Sequence, residues 1–111
     1  MKPLTKEQVS SMIEAFSLTK GREQELLKLI AKGDKKAEQD LIEANLHLVE
    51  NIAGHYRDND SGLNGEKLIE IGKTGLQKAI KIYNPKKDYR FAAYASWWIR
   101  HEIHEALGIK D

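Results

Sequence analysis

The residues able to do chemistry in this chain crowd into one stretch, Tyr83 to His104. Both tryptophans, three of the four tyrosines and one of the two phenylalanines fall there. Lys86, Lys87, Arg90 and Arg100 are interleaved with them. Aromatic rings among cations suit a surface that stacks nucleobases while neutralising phosphates. The competing reading is a core helix whose tryptophans only fill space. Helical geometry favours the first. With successive side chains about 100° apart, Phe91, Ala95, Trp98, Ile99, Ile103 and Ala106 share an apolar face. Tyr94, Trp97, His101 and His104 recur at helical offsets on another face, where folding demands neither aromatics nor imidazoles. Neighbours cannot point the same way, so one of the two tryptophans is expected to meet a partner.

Other constellations carry less. His101 and His104 flank Glu102 and Ile103, but a zinc-protease helix needs its histidines four apart, and here they are three apart. A shared metal would need a third ligand such as Glu105, His55 or His47, and nothing in the sequence brings one near. The polar segment from Arg57 to Gly65 lacks the spacing of a calcium loop. No serine–histidine–acid arrangement and no glycine-rich phosphate loop is present. The chain therefore reads as a binding protein, not an enzyme, with no metal and no cofactor expected.

The elements that must position the aromatic stretch read as helices throughout. Thr5-Lys6-Glu7-Gln8 has capping-box spacing and predicts a helix with Val9, Met12, Ile13 and Phe16 on its apolar side. A turn near Gly21 separates it from a second helix over 23–32, with Leu26, Leu27 and Ile30 inward and Gly33 closing it. Asp34 suits the next cap. From Ala37, the positions Leu41, Ile42, Leu48, Val49, Ile52, Ala53 and Tyr56 keep helical spacing. Asn45 interrupts that face, where a structural hydrogen bond is the commoner duty of such a residue and a direct ligand role the rarer one. Over 66–83, Leu68, Ile69, Gly72, Leu76, Ala79, Ile80 and Tyr83 repeat the pattern. Gly72 and Gly75 weaken the helix locally and suggest close approach of another one. Asp88 is placed to cap a final helix beginning near Tyr89 or Arg90, after a Pro85 turn. No strand pattern occurs, so the expected fold is all-α, a compact bundle of four to six helices.

The totals agree with one soluble domain. The chain has 111 residues, 41% hydrophobic and 32% charged, enough for one core and too apolar for a disordered segment. Without cysteine there is neither a disulfide framework nor a thiolate site, and an intracellular, cytoplasmic location is expected. No apolar run is long enough to span a bilayer, and the start lacks the apolar core of a signal peptide. A formal net charge of +1 conceals segregation. Residues 1–72 carry a net of −3, residues 73–100 a net of +6 and residues 101–111 a net of −2. A basic segment beside an acidic body fits one face for nucleic acid and another for a basic protein, the alternative being an ordinary solvated surface.

The residues Leu41-Ile42-Glu43-Ala44-Asn45-Leu46-His47-Leu48-Val49, Gly62-Leu63, Leu68-Ile69, Gly72, Gly75-Leu76, Lys78-Ala79 and Tyr89-Arg90-Phe91-Ala92-Ala93-Tyr94-Ala95-Ser96-Trp97-Trp98-Ile99-Arg100 together resemble region 2 of bacterial sigma-70-type transcription initiation factors. The aromatic motif from Tyr89 to Arg100 is the specific part. The resemblance divides the chain into 1–33, similar to region 1.2, and 34–111, similar to region 2. It implies an all-helical fold, docking on the clamp coiled coil of RNA polymerase, and promoter melting at a −10-type element through the non-template single strand. Tyr83, Lys87, Tyr89, Tyr94 and Trp97 stand where the family holds a flipped adenine. Asn45 and Leu48 stand where it holds a flipped thymine. Trp97 and Trp98 match its paired tryptophans at the upstream edge of the bubble, and Arg90, Arg100, His101 and His104 complete the expected nucleic-acid face. Flipping a base costs a few kcal/mol, and each aromatic stack returns ~1–3 kcal/mol, so binding alone accounts for melting.

Several positions depart from the family. Its polymerase-binding helix usually reads Asp-Leu-Ile-Gln-Glu-Gly, whereas this chain has Lys67-Leu68-Ile69-Glu70-Ile71-Gly72. The residues expected to face polymerase are Lys67, Leu68, Glu70, Ile71, Lys73 and Gln77, and a lysine for a carboxylate there implies weakened, re-registered or lost docking. His101 and His104 replace the glutamine and threonine of primary members, implying altered promoter preference. His47 and Gly54-His55 replace basic residues, thinning those contacts. The chain stops soon after this domain, which reads either as an excised fragment or as a small protein working with a second sigma subunit. A sigma-like module held by polymerase or an anti-sigma regulator, without promoter melting, is the alternative function.

Overall fold

A computed structural model describes residues 2–58 and 61–110. Asn59 and Asp60 of the polar segment, weighed above as a calcium loop, lie outside them. The described residues form six helices and no strand, within the expected all-α range. In order these are α1 (Lys6–Phe16), α2 (Lys20–Ala31), α3 (Lys35–Ala44), α4 (Leu46–His55), α5 (Gly65–Ile82) and α6 (Phe91–Leu107). None is long and apolar enough to cross a membrane.

Local chemistry explains most boundaries. The Thr5 hydroxyl accepts from Gln8 N at 3.1 Å, and Gln8 Oε1 accepts from Thr5 N at 2.8 Å, completing the capping box. The chain turns at Ser17–Thr19 rather than at Gly21. Thr19 caps α2 by accepting from Arg22 N, so Gly21 lies inside the first turn. Gly33, at φ +89°, takes the left-handed conformation that closes α2, and Asp34 then accepts from Ala37 N at 3.0 Å to open α3. The helical run from Ala37 breaks at Asn45, which separates α3 from α4. The Asn45 amide donates to Leu41 O at 2.9 Å, the structural bond that its position on the apolar face suggested.

Two contacts hold the bundle in register. The first is the α5–α6 crossing, where both helices approach through Gly72 and Gly75. A Cβ on Gly75 would lie 2.5 Å from Trp98 O, and one on Gly72 would lie 2.8 Å from Val49 Cγ1. The two glycines therefore act as the predicted close-approach points. The second is a buried polar pin. Tyr56 Oη accepts from Leu4 N at 3.0 Å and lies 2.6 Å from His104 Nε2, tying the chain before α1 to the end of α4 and to α6. Leu41, Leu48, Val49, Ile52, Leu76, Phe91, Ile99 and Ile103 fill the core between these contacts. Phe91, Ala95, Ile99 and Ile103 confirm the apolar face expected of α6, while Ala106 at its end stays exposed.

Candidate nucleic-acid interface

Helix α6 carries the aromatic residues, and its start is not capped as the sequence suggested. Arg90 occupies the cap position and makes no side-chain capping bond. The cap comes instead from Glu23 of α2. Glu23 Oε1 accepts from Phe91 N at 3.1 Å, and Oε2 accepts from Ala92 N at 3.3 Å. Asp88 lies two residues ahead of the cap position, and its side chain is not the one those amides use. Glu23 could not be found by local spacing, because it is 68 residues from Phe91 in the chain.

Behind this cap the rings form a connected set. Tyr83, just past α5, meets Phe91 edge-on at 5.3 Å and donates its hydroxyl to Tyr89 O at 2.7 Å. Tyr89 stacks on Tyr94 with centroids 5.5 Å apart. Burial raises the Tyr83 phenol above its ordinary pKa of 10.0, with the Glu23 carboxylate and Tyr89 adding to the effect and Arg90 opposing it. Tyr83 therefore stays a neutral donor at physiological pH.

Tyr89, Ala93, Tyr94, Trp97 and Trp98 line an open groove of about 590 Å³. Trp97 is 48% exposed, and its face stacks on His101 with centroids 4.9 Å apart and planes 6° from parallel. Trp98 stands almost perpendicular to Trp97 and is half-buried. On the face that Tyr94 and Trp97 share, Trp97 is open and Tyr94 only half so, while Trp98 is the more covered tryptophan. Lys78 of α5 lies 5.8 Å above the Trp98 ring and forms an ion pair with Glu102. It thus sets a cation over one of the tryptophan rings, a contact that the aromatic motif did not reveal.

Other candidates divide between surface and interior. Lys87 is exposed on a neighbouring cleft between α2 and the 83–90 segment, where Tyr83 and Tyr89 also appear. Arg90 is turned inward: its Nη2 donates to Glu23 Oε2 at 3.1 Å and to Leu18 O at 2.8 Å. Arg100 is half-buried and donates from Nε to Ser96 O at 3.2 Å on its own helix. Three members of the expected nucleic-acid face are sealed. Asn45 and Leu48 are 1% and 0% exposed, and His104 is buried against Tyr56. Helical spacing grouped His104 with Trp97, but the Tyr56 hydroxyl draws it to the core side of α6. On α5, Lys67, Glu70, Lys73 and Gln77 are exposed and Ile71 is half-buried, whereas Leu68 is sealed in the core and offers a partner no side-chain surface. Lys67 and Glu70 lie 3.9 Å apart as an exposed ion pair.

The described residues thus form an all-helical bundle that presents an open groove lined by aromatic rings. The family described as Sigma-70 region 2 matches residues 41–108, from the middle of α3 to the end of α6. The chain belongs to the sigma-70 region 2 family. It is similar to the RNA polymerase sigma factor RpoS of Coxiella burnetii, 44% identical over 85 residues that cover 77% of this chain and 24% of the relative. It is also similar to the RNA polymerase sigma factor SigA of a Bacillus species, 42% identical over 85 residues covering 77% of this chain and 22% of the relative. The RNA polymerase sigma-C factor of Myxococcus xanthus is 40% identical over 90 residues, covering 81% of this chain and 30% of the relative. The chain spans less than a third of the length of each of these relatives.

Proposed function

We propose that this chain is the promoter recognition and melting module of an RNA polymerase sigma factor, binding the non-template strand of a −10-type element in the cytoplasm. The observation that carries the reading is the exposed Trp97 ring. It stands in a groove with Tyr89 and Tyr94, within a segment whose charge is strongly positive. An unpaired base entering the groove would exchange stacking in the duplex for stacking on these rings, and Lys78, Lys86 and Lys87 would meet phosphates. The step needs no catalytic group. Residues 1–33 would act as a region 1.2-like segment and residues 34–111 as region 2.

The second base site requires a change of shape. Asn45 Oδ1 is buried with no hydrogen-bond partner among the described residues, an acceptor left over at the α3–α4 corner. Opening of that corner on polymerase would present Asn45 and Leu48 to a flipped thymine. Polymerase docking is assigned to the exposed side of α5, through Lys67, Glu70, Lys73 and Gln77 with Ile71 at its margin. The Lys67–Glu70 ion pair favours a second reading at this surface alone. With its acid already facing a lysine, α5 would meet the basic clamp weakly, and the chain would act as a sigma-like interaction module without melting.

Tryptophan fluorescence titration with a single-stranded −10-type oligonucleotide, with and without core polymerase, separates the two. Base capture predicts saturable quenching that strengthens with polymerase and is lost in Trp97→Ala. Association with polymerase that shows no sequence preference and no effect of Trp97→Ala would overturn it in favour of the interaction module.

A further inference from the structure

We infer that Glu23 is the positioning residue of the aromatic face, holding the first turn of α6, and through it Tyr83, Tyr89 and Tyr94, in the geometry that receives a base. The inference rests on the base-capture reading above. Glu23 is 2% exposed, on a helix separate from the groove and outside the residues matched by the family. Burying a carboxylate is unfavourable unless its oxygens are well hydrogen-bonded. Here both oxygens are committed to one place, the amides of Phe91 and Ala92 and the Arg90 guanidinium.

Those two amides are the first donors of α6, which no intrahelical carbonyl can satisfy. Arg90 offers no side-chain cap, so the negative charge of Glu23 serves as both hydrogen-bond acceptor and partner for the positive end of the helix. The Arg90 bond to Leu18 O fastens the same point to the chain between α1 and α2. Phe91 then transmits the position. Its ring touches Tyr83, the Tyr83 hydroxyl holds Tyr89 O, and Tyr89 stacks on Tyr94. Displacing the first turn of α6 therefore displaces one wall of the groove. The influence of Glu23 on the Tyr83 phenol is consistent with this proximity.

The test compares the full chain with Glu23→Gln, which keeps one carbonyl acceptor, and Glu23→Ala, which keeps none. Amide exchange by NMR on the free protein reads the cap directly, because the first amides of an ordinary helix exchange rapidly. Phe91 and Ala92 amides should be protected in the native chain, less so in Glu23→Gln and unprotected in Glu23→Ala. Val49 and Ile52 amides in α4 should keep their protection in all three. In parallel, affinity of each folded protein for the −10-type oligonucleotide on core polymerase should fall in the same order, by about tenfold in Glu23→Ala, the scale of a lost helix cap. A lowered melting temperature with unchanged oligonucleotide affinity would overturn the inference and leave Glu23 a purely structural residue. Equal exchange at Phe91 and Ala92 in all three proteins would overturn it too. Should Glu23→Ala not fold, Glu23→Gln alone decides by the same two readouts. Absence of oligonucleotide binding by the native chain defeats the base-capture reading instead, and the exchange pattern with the Tyr89 and Tyr94 ring shifts still decides whether Glu23 positions the face.

Discussion

Replacing Gly75 by alanine places a methyl group where α5 and α6 touch through backbone. The added Cβ would lie 2.5 Å from Trp98 O, 2.8 Å from Trp98 C and 2.9 Å from Ile99 Cα, whereas ordinary contact begins at 3.4 Å. Three backbone atoms cannot rotate aside as a side chain would, so α6 must retreat along its packed length. Overpacking of this kind costs ~1–3 kcal/mol or more, and the backbone obstacle argues for the upper end. Alanine returns ~0.8–1.0 kcal/mol of helix propensity. The net expectation is a loss of about 1–2 kcal/mol, equivalent to a melting temperature lower by roughly 5–15 °C for a domain of this size. Gly54→Ala provides the control. Gly54 is exposed on α4 with nothing within 4 Å of the new Cβ, so it collects part of the same propensity gain without the clash. Urea unfolding followed by circular dichroism should therefore separate the two variants by about 2–3 kcal/mol, with Gly54→Ala at or above the native chain. Equal stability of Gly75→Ala and Gly54→Ala would refute the claim that glycine at this crossing is a packing requirement.

Two further perturbations probe the polar contacts. Tyr56→Phe removes the hydroxyl shared by Leu4 N and His104 Nε2 and should cost ~1–3 kcal/mol, because buried groups lose a partner. Calorimetry that finds the variant as stable as the native chain would show the pin to be dispensable. The raised pKa of Tyr83 means that folding favours its neutral phenol. Its contribution to stability is complete below the ordinary value of 10.0 and is lost as pH climbs through the higher folded value. Tyrosinate absorbance, compared between the native chain and Tyr83→Phe, should assign to Tyr83 a step above that of peptide tyrosine; a step at or below it would contradict the burial described for this ring.

Much of the fold could be read from local chemistry. The Thr5 capping box, the Asp34 cap, Gly33 after α2 and the helical periods of α5 and α6 depend on residues within one or two turns of each other. So does the aromatic motif from Tyr89 to Arg100, which is contiguous and placed Trp97 on an open face. Periodicity also marked Gly72 and Gly75 as points of close approach, although it could not name Trp98 O as the atom they approach. Burial of individual positions was harder to read. Asn45, Leu48 and Leu68 carry side chains compatible with either a site or a core, and only the assembled neighbours decide.

The sequence by itself determined five helical periods, a basic aromatic segment and the residue types that can stack on a base, while the break at Asn45 that makes six helices came with the structure. Those properties are local, set by spacing along a helix and by side-chain chemistry. Tertiary structure alone decided that Glu23 rather than Asp88 starts α6, that Arg90 and His104 turn inward, and that Lys78 lies over the Trp98 ring. Each of those outcomes joins residues far apart in the chain. A charge or a buried polar group goes where a partner satisfies it, and the partner's position exists only once the helices have packed.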